Sequence, residues 1–371
     1  MNFDKIKDYM DSILELGIPS GDVAIYKDHE LLFRYGTGFT DVEKKNPIKG
    51  DELYLMFSMT KIVTMTVFMQ LVEKGMVSLE DEVSRYLPAY KNITLKDGSK
   101  VNSLKIKHLL SMQSGLDYDL QRKGIVRVLK ESGSEATTRM LVDSFAETPF
   151  DFEPGTHFQY SLSHDVAAAV IEVVSGMRFG EYLKENIFKP LKMDRTFFAK
   201  PENDDVEGLI PQYIQKDDKS IVLMGQSCCY QLSDNYESGG AGLISSLDDY
   251  AKLGDTLACG GVSKDGVRIL KESTIDIIKT NLLGEASRHD LAVNMGRKAY
   301  GYGCGMMVMM NPELISSPAP KGIFGWDGAA GSMLTMDTEN RLSIVFTMHV
   351  RNCGVSYDVI HPRLRDLLYE D

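Results

Sequence analysis

Ser58-Met59-Thr60-Lys61 runs directly into Ile62-Val63-Thr64-Met65-Thr66-Val67-Phe68-Met69-Gln70-Leu71-Val72. The apolar run reads as a buried helix, with the serine and the lysine in its opening turn. No other serine in the chain has a lysine three residues later. A serine there lies in the partial positive field of a helix N-terminus. The lysine one turn on shares its face. A lysine at a buried helix contact must pair with an acid or lose its proton, because desolvation lowers its pKa by several units from about 10.4. A neutral lysine beside a serine is a competent general base, so the pair can activate an alcohol without histidine. The competing reading is a lysine snorkelling from an amphipathic helix. It is disfavoured because the segment is apolar on nearly every face.

Upstream, Phe3, Ile6, Met10, Ile13 and Leu14 fall at helical spacing over residues 3–17, ended by Gly17 and Pro19. Asp22–Tyr26 and Leu31–Tyr35 read as a hairpin joined by Lys27-Asp28-His29-Glu30. Leu53–Phe57 then delivers the chain to Ser58. Downstream the character changes. Residues 105–112, 136–147, 164–175 and 178–187 are helix candidates, punctuated by Pro88, Pro149, Pro154 and Pro190. Gly239-Gly240-Ala241-Gly242 marks a close turn before helices near 246–259 and 271–280. Strands are expected at Cys304–Met309, Ser332–Met336 and Leu342–Thr347, the last two joined by a plain hairpin connection. A closing helix spans about 357–370, interrupted or restarted at Pro362.

The pattern is α+β: an antiparallel sheet built from both chain termini and flanked by helices, with an inserted, mostly helical region. Residues 1–80 and 240–371 are expected to form the sheet domain and 81–239 the helical one, with the active site at their interface.

Composition narrows the partners. The 371 residues are 43% hydrophobic and 25% charged, enough to bury a core. The net charge of −12 disfavours nucleic acid and anionic membrane. No run is long enough to span a bilayer. Met1–Ile6 carries no basic stretch leading into an apolar segment, so no signal peptide is expected. Cys228, Cys229, Cys259, Cys304 and Cys353 form no spaced metal pattern, and their odd number suits reduced cytoplasmic thiols. The twenty methionines read as adaptable core filler. His108, His157 and His164 show no ligand grouping, so no metal site is read from them.

Two further stretches could carry chemistry. In Phe158-Gln159-Tyr160-Ser161-Leu162-Ser163-His164-Asp165-Val166, Tyr160 precedes a helix and can reach a cleft. Positive neighbours that lowered its pKa from about 10 would let its phenolate relay a proton; otherwise it is an aromatic packing residue. In Phe324-Gly325-Trp326-Asp327-Gly328-Ala329-Ala330-Gly331, the small residues allow another backbone or a ligand close approach. A backbone N–H here, with that of Ser58, could polarise a carbonyl. The plainer reading is a bulged strand.

Together and in this order the three stretches resemble the serine β-lactamase-like superfamily, which covers class C β-lactamases, penicillin-binding carboxypeptidases and related esterases. Gly17–Gly21, Val77–Pro88, Ile106–Leu116, Glu153–Thr156 and Ser238–Leu243 extend the likeness along most of the chain. The resemblance implies that Ser58 is the acyl-accepting nucleophile, Lys61 its base and Tyr160 the proton relay. It implies an oxyanion hole from the N–H groups of Ser58 and Ala329. Two departures matter. Leu162 stands where the asparagine of the usual tyrosine-x-asparagine would be, and Trp326-Asp327-Gly328 replaces lysine-threonine-glycine. The residues that engage a β-lactam carboxylate are therefore missing, and Asp327 adds negative charge unless it points away from the cleft. Leu162, Trp326, Asp327 and Gly328 are the expected pocket residues, with Trp326 walling an apolar pocket.

The expectation is a serine hydrolase acting on small neutral or apolar esters through an ester on Ser58, with weak or no β-lactamase activity. One alternative is a D-amino-acid peptidase or carboxypeptidase-like amidase, in which Asp327 meets a substrate ammonium. The other is a non-catalytic binder on the same scaffold. Specificity is expected in loops within 116–135 and 205–236. Oligomeric state is not readable.

Overall fold

The computed structural model describes residues 1–41, 43–200, 202, 206–224 and 230–370. Cys228, Cys229 and part of the 205–236 loop lie outside the described residues.

A seven-stranded sheet dominates. Its strands are β1 (Ser20–Lys27), β2 (Glu30–Gly38), β3 (Tyr300–Tyr302), β4 (Met307–Met309), β5 (Phe324–Asp327), β6 (Met333–Asp337) and β7 (Leu342–Thr347). They are ordered β2-β1-β7-β6-β5-β4-β3, each neighbouring pair antiparallel. The junction between the chain's two ends is β1 against β7, in register from Asp22 opposite Thr347 to Lys27 opposite Leu342. The α+β architecture read from the sequence is thus the one observed.

Strand alternation sorts the core. Val23, Ile25, Ile344 and Phe346 face a cluster with Ile6 and Met10 of helix α1 (Phe3–Ser12) and with Ile360 and Leu364 of the closing helix region. Ala24, Val345 and Leu334 face the opposite, larger cluster. That cluster contains helix α2 (Thr60–Glu73), helix α3 (Ser163–Ser175) and helix α4 (Leu247–Ala258). Every residue of α2 from Thr60 to Leu71 is buried, as expected of a helix apolar on all faces. Its polar side chains find acceptors in place: Thr64 donates to Gly239 O at 2.7 Å and Gln70 Nε2 to Ile269 O at 3.0 Å.

Some boundaries differ from the sequence expectation. The first helix tightens into a 3-10 turn at Ile13–Leu16, and Gly17 closes it at φ +80°. The β1–β2 turn has two residues, Asp28 and His29, both at positive φ, which matches the strand twist better than a longer loop. The strand expected from Cys304 begins at Met307, because Gly305 turns at φ +76° and donates its N–H to Leu110 O. Within 116–135, read as loop from the sequence, Lys123–Ser132 is a helix whose buried Ile125 and Val128 give it an apolar face, and the helix at Glu285–Met295 had no expectation attached. No helix among the described residues is long and apolar enough to cross a membrane.

Candidate active site

Ser58 lies in a single 3-10 turn, Phe57–Met59, at the entrance to α2, and is only partly buried. The chain reaches it through Leu53–Leu55, which pairs antiparallel with Leu243–Ser246. Phe57 adopts φ +46°, an uncommon conformation for a bulky residue. Its ring is held edge-on to Tyr230 at 5.8 Å and under the Arg351 guanidinium at 5.2 Å. The Tyr250 hydroxyl donates to Met59 O, and Leu243 N–H donates to Thr60 Oγ1 at 3.1 Å. The turn bearing the serine is therefore pinned on both sides.

Lys61 Nζ lies 3.3 Å from Ser58 Oγ and donates to Gly240 O at 2.7 Å. Burial lowers the Lys61 pKa to about 7, while the nearby carboxylates of Asp165 and Asp327 pull it upward. The ammonium also sits over the rings of Tyr160, at 4.5 Å, and Tyr118, at 5.4 Å.

Tyr160 precedes α3 and comes within hydrogen-bonding reach of Ser58. Its hydroxyl accepts a bond from Trp326 Nε1 at 3.1 Å. Burial raises its pKa well above the usual phenol value, with the bonds to Ser58 and Trp326 opposing that rise. The condition attached to a phenolate, positive neighbours that lower the pKa, is not met: the dominant influence is desolvation, which favours the neutral hydroxyl. Tyr118 stacks on Tyr160 at 5.6 Å and meets Tyr230 edge-on at 5.6 Å. These three partly exposed tyrosines stand around Ser58.

Strand β5 approaches from the other side. A Cβ at Gly328 would fall 2.5 Å from Met56 O and 2.2 Å from Ser332 Oγ, so only glycine fits here. Ala329 follows and packs in the cluster that contains Phe57. Trp326 is 1% exposed. It lies between Tyr160, stacked at 5.5 Å, and Tyr302, edge-on at 5.1 Å, so it orients the phenol rather than presenting a face to solvent. Asp327 is bound by Arg297, whose Nη2 lies 2.7 Å from Asp327 Oδ2. Leu162 is buried in the main core, its N–H donating to Asp117 O. At 2% exposure it does not form the open pocket wall expected of it.

Sequence reasoning passed over Asp165, Tyr118, Tyr230, Arg297 and the contact role of Gly240. Asp165 had a readable signal, an acid in the first turn of the helix that follows Tyr160. Tyr118, Tyr230 and Arg297 reach the site from irregular segments with no periodicity to read.

Among the described residues, His29, Asp255 and Cys259 bring three metal-ligand atoms within 4.8 Å of one another. They already satisfy one another. His29 Nδ1 lies 2.8 Å from Asp255 Oδ2, and Cys259 Sγ lies 3.5 Å from Asp255 Oδ1. Arg341 Nη2, a donor only, faces His29 Nε2 at 3.4 Å, so the imidazole proton belongs on Nδ1. Burial and Asp255 push the Cys259 thiol up to about 12. The three groups are already hydrogen-bonded to one another beside a guanidinium, a poor setting for a cation. A cavity of about 830 Å³ lined by Lys49, Glu52, Arg195 and Glu207 includes none of the Ser58 site's side chains.

The sequence profile of the Beta-lactamase family matches residues 3–367. Esterase EstB of Burkholderia gladioli is 28% identical over 94% of this chain and 90% of its own length. A putative D-alanyl-D-alanine carboxypeptidase of Escherichia coli K12 is 25% identical over 95% of this chain and 83% of its own. Among solved structures, EstCE1, a hydrolase with promiscuous acyltransferase activity, superposes with a TM-score of 0.82 at 24% identity, covering 99% of this chain and 98% of that one. Simvastatin synthase LovD of Aspergillus terreus, as its LovD9 mutant, gives 0.77 at 19% identity, covering 99% and 98%. These two structural likenesses speak for the fold.

Proposed function

The chain belongs to the beta-lactamase family and is a serine hydrolase, and from that premise we propose that it is an esterase or transesterase acting on small neutral or apolar esters. The observation that carries this reading is Lys61 Nζ at 3.3 Å from Ser58 Oγ, with burial bringing its pKa to about 7. At that value a large share of Lys61 is neutral at physiological pH and can accept a proton.

Lys61 Nζ takes the Ser58 proton as Oγ attacks the ester carbonyl. The carbonyl oxygen, now anionic, accepts from the N–H groups of Ser58 and Ala329. Tyr160, a neutral phenol, donates its proton to the departing alkoxide and is reprotonated from the Lys61 ammonium. The C–O bond to the alcohol breaks, leaving an ester on Ser58. Water, or a second alcohol, then runs the same steps in reverse and frees the serine.

The surroundings favour uncharged substrates. The Tyr118, Tyr160 and Tyr230 rings offer apolar, weakly polarised surface. Trp326 and Asp327 occupy the strand positions where the resemblance expects the carboxylate-binding lysine and its threonine. A substrate ammonium would have to displace Arg297 from Asp327, which places the amidase reading second.

The test is a panel of p-nitrophenyl acetate, p-nitrophenyl butyrate, D-alanine p-nitroanilide and nitrocefin against the wild type and Ser58→Ala. The expected result is ester turnover lost in the variant by about a thousandfold or more, with nitrocefin hydrolysed far more slowly than the esters. Ester rates equal in the two proteins would end the proposal.

A further inference from the structure

Asp165 is 0% exposed, and its carboxylate acts electrostatically on Lys61. It does not cap its own helix. Oδ1 accepts from the Tyr236 hydroxyl at 2.7 Å, from Ser238 Oγ at 2.6 Å and from Gly240 N–H at 3.4 Å. Oδ2, although buried, has no hydrogen-bond partner among the described residues. A Cβ built on Gly240 would fall 2.7 Å from that oxygen, 3.3 Å from Tyr118 Oη and 3.4 Å from Lys61 Nζ. The missing side chain of Gly240 thus leaves a gap bordered by an unpartnered carboxylate oxygen, a phenol and the lysine. The Gly240 carbonyl is the acceptor that fixes Lys61 Nζ. One carboxylate therefore both ties down the loop that holds the lysine and faces the lysine across that gap. Leaving a buried carboxylate oxygen unpaired is costly, and a neighbouring cation is its natural compensation.

We propose that Asp165 is a positioning residue of the acyl-transfer site, whose buried carboxylate acts on Lys61 across the Gly240 gap and so sets when the lysine is free to accept the Ser58 proton. The inference rests on the reading of Lys61 as the base. Other groups bear on Lys61 from each side. Asp327 on β5 raises its proton affinity and is itself paired with Arg297. His164, on the same helix as Asp165, is kept neutral by burial. Tyr118 and Tyr160 have their phenol pKa values raised by burial and remain neutral. Ser58 carries no charge. Asp165 and Asp327 are thus the two carboxylates acting on Lys61, and among the described residues Asp165 is the one not bound by a cationic side chain at hydrogen-bond distance.

The charge has a testable sign. A carboxylate beside a lysine favours the ammonium, so removing it lowers the lysine pKa and moves the acid limb of any Lys61-dependent rate to lower pH. Taking away the Tyr236 hydroxyl removes a donor dipole that offsets the carboxylate. The lysine then feels more negative field, and the limb moves the other way.

The full chain is labelled with ε-¹³C-lysine, and the Lys61 signal is identified by its loss in Lys61→Met. Its titration is followed in the wild type, Asp165→Asn and Tyr236→Phe, alongside the pH dependence of Ser58 modification by a fluorophosphonate probe. The expected result is a Lys61 midpoint lower by roughly one pH unit in Asp165→Asn and higher by roughly a few tenths in Tyr236→Phe, with the probe's acid limb following both. A midpoint unmoved in Asp165→Asn, even with slower modification at every pH, leaves the residue a purely structural support and overturns the inference. Should Asp165→Asn not fold, a midpoint unmoved in Tyr236→Phe does the same. Wild-type Lys61 titrating as expected while Ser58 stays unmodified and esters intact would instead count against the proposed function.

Discussion

Arg297 Nη2 sits 2.7 Å from Asp327 Oδ2, and both side chains are nearly buried, at 11% and 12% exposure. The carboxylate at the end of β5 is therefore a paired ion. Removing the cation would leave a buried negative charge near Lys61. Arg297→Met is expected to cost about 3 kcal/mol of stability, because a broken buried pair leaves its survivor uncompensated. It should also move the acid limb of ester hydrolysis to higher pH. Urea melts and a pH–rate profile check both, and an unshifted limb would show that Asp327 does not act on the lysine.

Lys61 carries a folding cost that depends on pH. Its pKa is about 7 in the folded protein, against 10.5 for a solvated lysine. Between those values the unfolded chain binds more protons, so this group's contribution to stability rises with pH across that window. Below about pH 7 the full penalty applies. Lys61→Met is expected to be inactive yet more stable than the wild type by roughly 2–4 kcal/mol at pH 6. The gain should shrink as pH rises toward 10. Denaturant melts at pH 6 and pH 9.5 measure it, and a gain independent of pH would contradict the lowered lysine pKa.

Trp326 contributes one hydrogen bond that a phenylalanine cannot make. Its Nε1–H donates to the Tyr160 hydroxyl at 3.1 Å, and its ring stacks on the phenol at 5.5 Å. Trp326→Phe keeps much of the stacking and loses the donor. The expected outcome is a roughly tenfold lower kcat with little change in KM, the pattern of a group that acts on proton transfer. A KM effect alone would assign Trp326 to substrate binding instead.

Gly328 has no room for a methyl group. A Cβ there meets Met56 O at 2.5 Å, and a backbone carbonyl cannot swing aside as a flexible side chain can. Gly328→Ala should push β5 away from the turn that holds Ser58. Activity should fall by about a hundredfold or more, with a stability loss of about 1–3 kcal/mol. Near-normal kinetics in this variant would remove the β5 backbone from the acyl-transfer site.

How far the sequence was legible depends on the range of the interaction. Residues 60–71 form one unbroken apolar helix, so both the buried α2 and the Ser58–Lys61 face were readable from local pattern. The β6–β7 hairpin was readable for the same reason. Tyr160 was placed correctly ahead of its helix, but its ionisation was not legible, because desolvation by Trp326, Tyr118 and the core is a sum over distant segments. Asp327 could be seen as a charge but not as half of a pair, since Arg297 lies in a loop that carries no periodic signal. Asp165 shows the same limit. Its partners Tyr236, Ser238 and Gly240 belong to a segment far away in sequence, and only the fold brings them under the lysine.

The pairing of β1 with β7 also governs when this protein can first work. A ribosome releases Asp22–Lys27 long before their sheet partners Leu342–Thr347. Until then one edge of β1 is an unsatisfied template, open to strands of other nascent chains. Ser58 and Lys61 are likewise translated long before Gly240, Trp326 and Gly328 can close around them. Such late closure predicts slow, high-contact-order folding. It also means that a ribosome-bound fragment displays the nucleophile without the groups that arm it, so the cell never handles a half-made hydrolase that is already reactive.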